Sequence, residues 1–378
     1  MTIDLELDED QKMIQQSASD LFARRSPSTV VREIEASEAG FSADLWREMA
    51  GLGWLGITIA SEYGGSDGGV LDLYGIYEEM GRYVVASPIL DTVAIGADVI
   101  AAVGSEDQKR ALLPAIAAGD EIISLALQEA DGGFGPGSVA LTATRSGDNY
   151  LLDGLKMLVG FVPSANHLLV AARTSGELDA DGVSLFLVDA KAKGINATRH
   201  TNISGGALYA VEFDGVSTPA SSLVGGEGAG WAPLLTSMTK AGVLQTCTIV
   251  GAARSVLEMT NQYGKDRHQF GVAIGSFQAV QYMITDVLLD LHKANLLAKQ
   301  AAFRIHTGRS FTREAAIAIA FGKQAAAHLH RQAHEVFAGI AFMLEHDLTL
   351  FSRRSKYWEY NLGGADFWED IVAEHLID

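Results

Sequence analysis

Tyr263-Gly264-Lys265-Asp266-Arg267-His268-Gln269-Phe270-Gly271-Val272-Ala273-Ile274-Gly275-Ser276-Phe277-Gln278 places a charged fork, an aromatic ring and an amide at the break between two helical patterns. Before it, Thr248 to Tyr263 carries Ala, Leu and Met at helical spacing; Gly271 and Gly275 interrupt the pattern, which resumes at Phe277. The spacing predicts a helix, a tight turn and a second long helix. The guanidinium of Arg267 presents paired donors that suit a phosphate, and Phe270 offers a flat face to a ring system. Such a trio can serve a dinucleotide. The plainer alternative for an isolated motif is that Arg267 caps a helix C-terminus and Phe270 is core.

Working outward, the texture of the chain divides it into residues 1–119, 120–224 and 225–378. From Asp8 to Gly119 the apolar spacing is mostly helical, with glycine breaks at Gly64-Gly65 and Gly68-Gly69. From Glu121 to Val224 short β-rich runs alternate with Gly, Asp and Ser turns: 122–127, 139–144, 150–152, 167–172, 183–188 and 210–213. After the glycine-rich stretch 225–230, Ala- and Leu-rich segments return at 241–263, 277–306, 313–338 and near 367–376. The expected class is α+β: a helical domain, a small β-domain and a C-terminal helical bundle.

The 378 residues are 48% hydrophobic, enough to bury a large core over two or three domains. With 28 Lys plus Arg against 47 Asp plus Glu, the net charge of -19 argues against nucleic acid or an anionic membrane as partner. An anionic ligand must therefore be held by local donors. A single Cys, Cys247, excludes a disulfide or cysteine-based metal site within one chain. The acidic start, Met1 to Asp10, lacks the features of an export signal, and no apolar run reaches membrane-spanning length, so a cytoplasmic protein is expected.

The 263–278 stretch resembles the flavin-contacting signature of the acyl-CoA dehydrogenase family. The resemblance continues through Trp46 to Gly56, Glu62 to Gly65, Glu78 to Arg82, Gly104 to Lys109, Leu113-Pro114, Gly119 and the strand Ile122 to Glu129. It closes with Gly339 to Phe342 and Glu345 to Leu348. It implies FAD wedged between the β-domain and the C-terminal helices, with a neighbouring subunit completing the site and a homo- or heterotetramer built on helices 277–306 and 313–334. It implies flavin contacts from Arg267, Phe270, Gln278, Gln128, Gly160 and the glycine turn at Gly339. It also implies an acyl-CoA substrate and an electron-transfer flavoprotein as the outlet for electrons.

Removing a proton beside a thioester carbonyl requires a positioned carboxylate, and the hydride leaving the β-carbon requires an acceptor other than a protein side chain. The family's two usual Glu positions correspond here to Ala241 and Leu362. Glu335 stands where the family has a Gln near the FAD diphosphate, Ala338 and Ala341 replace two turn glycines, and Leu158 and Gly160 lie where an aromatic and a Thr contact the flavin. Three readings follow. The chain is the partner subunit of a heteromeric enzyme of the kind that acts on steroid side chains or other bulky acyl-CoA esters. Alternatively it is a self-sufficient homotetramer with a relocated base, for which Asp366, Glu369 and Glu359 are the candidates. Or the fold serves a non-oxidative or structural role.

His328, His330 and His334 read as helix-surface or packing residues because no carboxylate spacing completes a metal motif. Trp46, Trp54 and Trp231 read as inter-helix packing. The stretch 225–230 lacks the Lys-Ser/Thr of a phosphate loop.

Overall fold

Local start and stop signals build the first helical layer. The computed structural model describes residues 5–177 and 179–377. Helices α1 (Glu9–Arg25), α2 (Ser28–Ala36), α3 (Ala43–Gly51), α4 (Val70–Arg82), α5 (Asp98–Val103) and α6 (Glu106–Ala118) come first, with a π-helical segment, Leu90–Ala97, leading into α5. The Asp8 carboxylate accepts from Gln11 N at 2.8 Å while the Gln11 side chain accepts from Asp8 N at 3.1 Å, a reciprocal cap that starts α1. Ser105 and Gln108 repeat the device at α6.

The second layer is an eight-stranded sheet of β1 (Ile123–Ala126), β2 (Thr142–Ser146), β3 (Asn149–Gly160), β4 (His167–Arg173), β5 (Val183–Asp189), β6 (Ile195–Arg199), β7 (Leu208–Pro219) and β8 (Leu223–Val224). Its order is β6-β7-β3-β2-β4-β5-β8, with β1 parallel to β4. The apolar runs of β4 and β5 are buried on both faces, whereas edge strand β6 lies largely in solvent and carried no apolar signal. The β3–β7 ladder shifts register between Lys156 and Val159, which turns the end of β3.

The third layer comprises α7 (Trp231–Asp266), β9 (His268–Gln269), β10 (Val272–Ala273), α8 (Gln278–His306), α9 (Thr312–Phe337), α10 (Leu348–Tyr360) and α11 (Ala365–Ile377). Helix α7 begins ten residues before the periodic segment at Ala241. Pro233 sits in its first turn, where a missing N–H is harmless, and the hydroxyls of Thr236 and Thr239 donate to carbonyls four residues back. Trp46, Trp54 and Trp231 are all buried, as packing residues should be.

Helices α4 and α7 cross at near-contact of their backbones. A Cβ on Gly81 would lie 1.8 Å from the Thr248 carbonyl oxygen, and one on Gly251 would lie 1.7 Å from that of Glu78. This crossing sets Tyr77 and Met80 opposite Gln245 and Thr248. Helix α8 leaves Tyr282, Leu289 and Leu296 half exposed or more, in line with a face awaiting cover. Helix α9 departs from the same expectation: its alanine face is buried in this chain against α7, α8, α10 and α11. Among the described residues no helix is long and apolar enough to cross a membrane.

Candidate functional site

Arg267 closes α7, its N–H donating to Tyr263 O at 2.9 Å. The chain then turns through Phe270 (φ 55°) and Gly271 (φ 84°), and β9 pairs with β10 to make a short hairpin. Phe270 is 93% exposed, which removes the reading of it as core. Its ring meets the edge of Phe277 at 6.2 Å. The Arg267 guanidinium is exposed and makes no hydrogen bond or ion pair among the described residues, and Gln278 donates to the Tyr282 hydroxyl at 2.8 Å. The hairpin thus carries an unpaired cation and a bare aromatic ring, both exposed.

A second group forms where β1 and β3 end. The Gln128 carbonyl accepts from Met157 N at 2.8 Å, which ties the neighbourhood of Gln128 to the last turn of β3 at Gly160. Behind it, the fully buried Lys156 donates to Glu129 at 2.6 Å and to Leu127 O at 3.0 Å, and Glu129 also accepts from Ala140 N and Leu141 N. Burial pushes the Lys156 amine down to about 8 against the pull of Glu129. This pair fixes the strand ends.

Gly339 lies in the turn after α9, and nothing comes within 4 Å of a Cβ built on it, so a ligand has room to approach. Its neighbour Ala338 holds φ 53° and ψ -135°, a conformation that favours glycine. The three groups come from separate elements, and among the described residues no hydrogen bond joins them.

The two positions at which the resemblance leads one to expect a carboxylate are buried. Ala241 is fully buried in the core. Leu362 is 2% exposed, and its carbonyl accepts from Trp368 Nε1 at 2.9 Å. Beneath it the buried Lys323 donates to Trp358 O at 2.8 Å and Asn361 O at 2.7 Å, capping α10. Having carbonyls and no carboxylate as partners, Lys323 is pushed down by burial to about 7. Of the proposed replacements, Asp366 is exposed, Glu369 accepts from Gln324, and Glu359 is held by Lys356 at 2.9 Å. None of the three lines the cavity between α4, α7 and α10.

That cavity has a volume of about 80 Å³. Its wall includes Tyr77, Asp91, Phe161, Gln245, Arg354 and Tyr357. Asp91, on the π-helical segment, was not singled out by sequence. It accepts from Leu125 N at 3.3 Å, and burial pushes its carboxyl up to about 7. A Cβ on Gly160 would sit 3.6 Å from its Oδ2, so the cavity wall adjoins the end of β3. An aspartate inside an apolar helical run left no readable signal beyond its charge.

His328 Nδ1 lies 2.7 Å from Asp290, His330 is buried and pushed down to about 3, and no group of three or more His, Cys, Asp or Glu that could hold a metal occurs among the described residues. Cys247 is buried and free.

The donor set fits a flavin dinucleotide. Arg267 has free donors for a diphosphate, Phe270 a bare ring, and Gly339 an open approach. Glu335 opposes an anion; it lines a groove with Arg331, and with Arg353 and Lys356, which are paired with Glu35 and Glu359.

Three family models match the chain: the acyl-CoA dehydrogenase N-terminal domain over residues 8–120, the middle domain over 124–216 and the C-terminal domain over 228–377. Acyl-CoA dehydrogenase FadE27 of Mycobacterium tuberculosis is 31% identical over 343 residues, 88% of each chain. Among solved structures, the ChsE4-ChsE5 complex from the same species aligns with TM-score 0.89 at 25% identity, covering 100% of this chain and 99% of that one. A variant of the Tcur3481-Tcur3483 steroid ACAD aligns with TM-score 0.86 at 28% identity over 98% of this chain and 99% of that one.

Proposed function

Since the chain belongs to the acyl-CoA dehydrogenase family, whose members are FAD flavoproteins, we propose that it serves α,β-desaturation of an acyl-CoA thioester as one subunit of a heteromeric assembly. In that assembly another polypeptide supplies the carboxylate that takes the α-proton. The observation that carries this reading is the contrast at the site: the hairpin for the cofactor is intact and unpaired, while Ala241 and Leu362 fill both carboxylate positions with buried apolar side chains.

FAD, when bound, accepts the hydride that no protein side chain can take. The chain's own residues do the holding. Arg267 grips the diphosphate across a subunit boundary, Phe270 and Gln278 flank it, Gly339 allows close approach, and Gln128 and Gly160 border the ring at the strand ends. The exposed face of α8 is the contact for neighbouring subunits in a tetramer. In this reading the chain divides at 1–119, 120–224 and 225–378, with the flavin between the second and third domains. The relatives ChsE4-ChsE5 and Tcur3481-Tcur3483 are each named as pairs of polypeptides, which supports a mixed assembly. Electrons leave through an electron-transfer flavoprotein.

The test is the visible spectrum of the purified chain with flavin per subunit, native mass and turnover of saturated acyl-CoAs. Flavin below one per chain and negligible turnover are expected. One FAD per chain in an active homotetramer overturns the reading.

A further inference from the structure

The cavity under α10 presents three polar groups with unused hydrogen-bonding capacity. Tyr77 is 1% exposed and its hydroxyl has no partner. Arg354 is 8% exposed; its Nη2 reaches Glu35 at 3.1 Å, but its Nε has no partner. Asp91 accepts a single long bond from Leu125 N. Burial, and after it the charge of Asp91, pushes the Tyr77 and Tyr357 hydroxyls up, so all three share one electrostatic neighbourhood.

Buried polar groups without partners are costly, so a protein keeps them where an occupant satisfies them. The available chemistry is mostly donation: a phenol O–H, a guanidinium N–H and an Asp91 carboxyl whose protonated form burial favours. Size narrows the occupant further. At about 80 Å³ the space is roughly half of the ~150 Å³ dry cavity that admits benzene. The space takes a few heavy atoms ending in an acceptor oxygen.

We propose that this cavity, beside the end of β3 and bounded by Tyr77, Asp91 and Arg354, recognises an oxygen-bearing end, a carbonyl or carboxylate, on the acyl group of the thioester. The proposal rests on the acyl-CoA reading above and adds the chemistry of the acyl group. A site built to hydrogen-bond an oxygen rejects the analogue lacking it, because its polar groups are left unpaired.

The experiment is calorimetric titration of the purified full-length chain with 4-oxopentanoyl-CoA and pentanoyl-CoA, repeated on Tyr77→Phe and Asp91→Asn. The wild type should bind the oxo compound about tenfold more tightly. Tyr77→Phe should erase most of that gap without changing affinity for pentanoyl-CoA, and should raise the melting temperature of the free protein by removing an unpaired hydroxyl. Equal affinity of the wild type for both compounds overturns the proposal and makes the cavity a water site, leaving the acyl-CoA reading intact. A preference that survives in both variants also overturns it. If neither thioester binds, the proposal falls, while the acyl-CoA reading is judged by its own flavin and turnover test.

Discussion

The hairpin at 267–278 and the sealed wall at Ala241 and Leu362 belong to the same helical layer, yet they have opposite physical characters. The hairpin stands in solvent with an unpaired guanidinium and a bare phenyl ring, held by a two-residue ladder. The wall is packed without exposed surface, and even its lone amine, Lys323, is consumed by backbone carbonyls. Exposed unpaired groups cost little alone and gain on contact with a partner; buried groups must be satisfied within the chain. The difference teaches that the chain leaves unpaired groups at its edge, while positions 241 and 362 serve interior packing.

The comparison breaks most visibly at Lys323. Lys323→Ala removes the cap on α10 and opens a void beside Leu362, so a loss of about 2–4 kcal/mol in urea unfolding is expected. A pH series sharpens it. Below about 7 the Lys323 amine is charged in both folded and unfolded chains, and its burial cost is present in full. Between about 7 and its ordinary 10.5 the folded form has shed the proton while the unfolded form keeps it, so stability rises with pH, by up to ~1.4 kcal/mol per unit. Lys323→Met should lack that component; parallel curves for the two proteins would show that Lys323 does not titrate in this range.

At the edge the expected effects on stability are small. Ala338→Gly relieves the φ 53° backbone and should stabilise by about 1 kcal/mol, read as a shift in the urea midpoint. Arg267→Ala should change stability by less than about 0.5 kcal/mol. It should nonetheless lower the flavin retained by the assembly, which absorbance at constant protein measures. Unchanged flavin content would remove the diphosphate role of Arg267.

Much of this was legible along the chain. Periods of 3.6 and 2 marked most helices and strands, and caps at Asp8 and Ser105 marked starts. Helix α10 was missing from the long helical segments because its face mixes Arg, Ser, Lys and Tyr with few apolar residues, and β6 was missed because an exposed edge needs no apolar alternation. Of the site, Arg267 and Phe270 were readable because a turn places neighbours in sequence side by side.

By itself, then, the sequence determined the three-layer order, the family and the absence of Glu at positions 241 and 362, since each is a local pattern or an identity at one position. The tertiary structure alone decided that Phe270 is bare, that Lys323 is buried, that α9 is spent within the chain, and that Tyr77, Asp91 and Arg354 meet around one cavity. Those outcomes depend on the crossing of α4 and α7 and the docking of α10. Burial and convergence are properties of packing between segments far apart in the chain, and no local period encodes them.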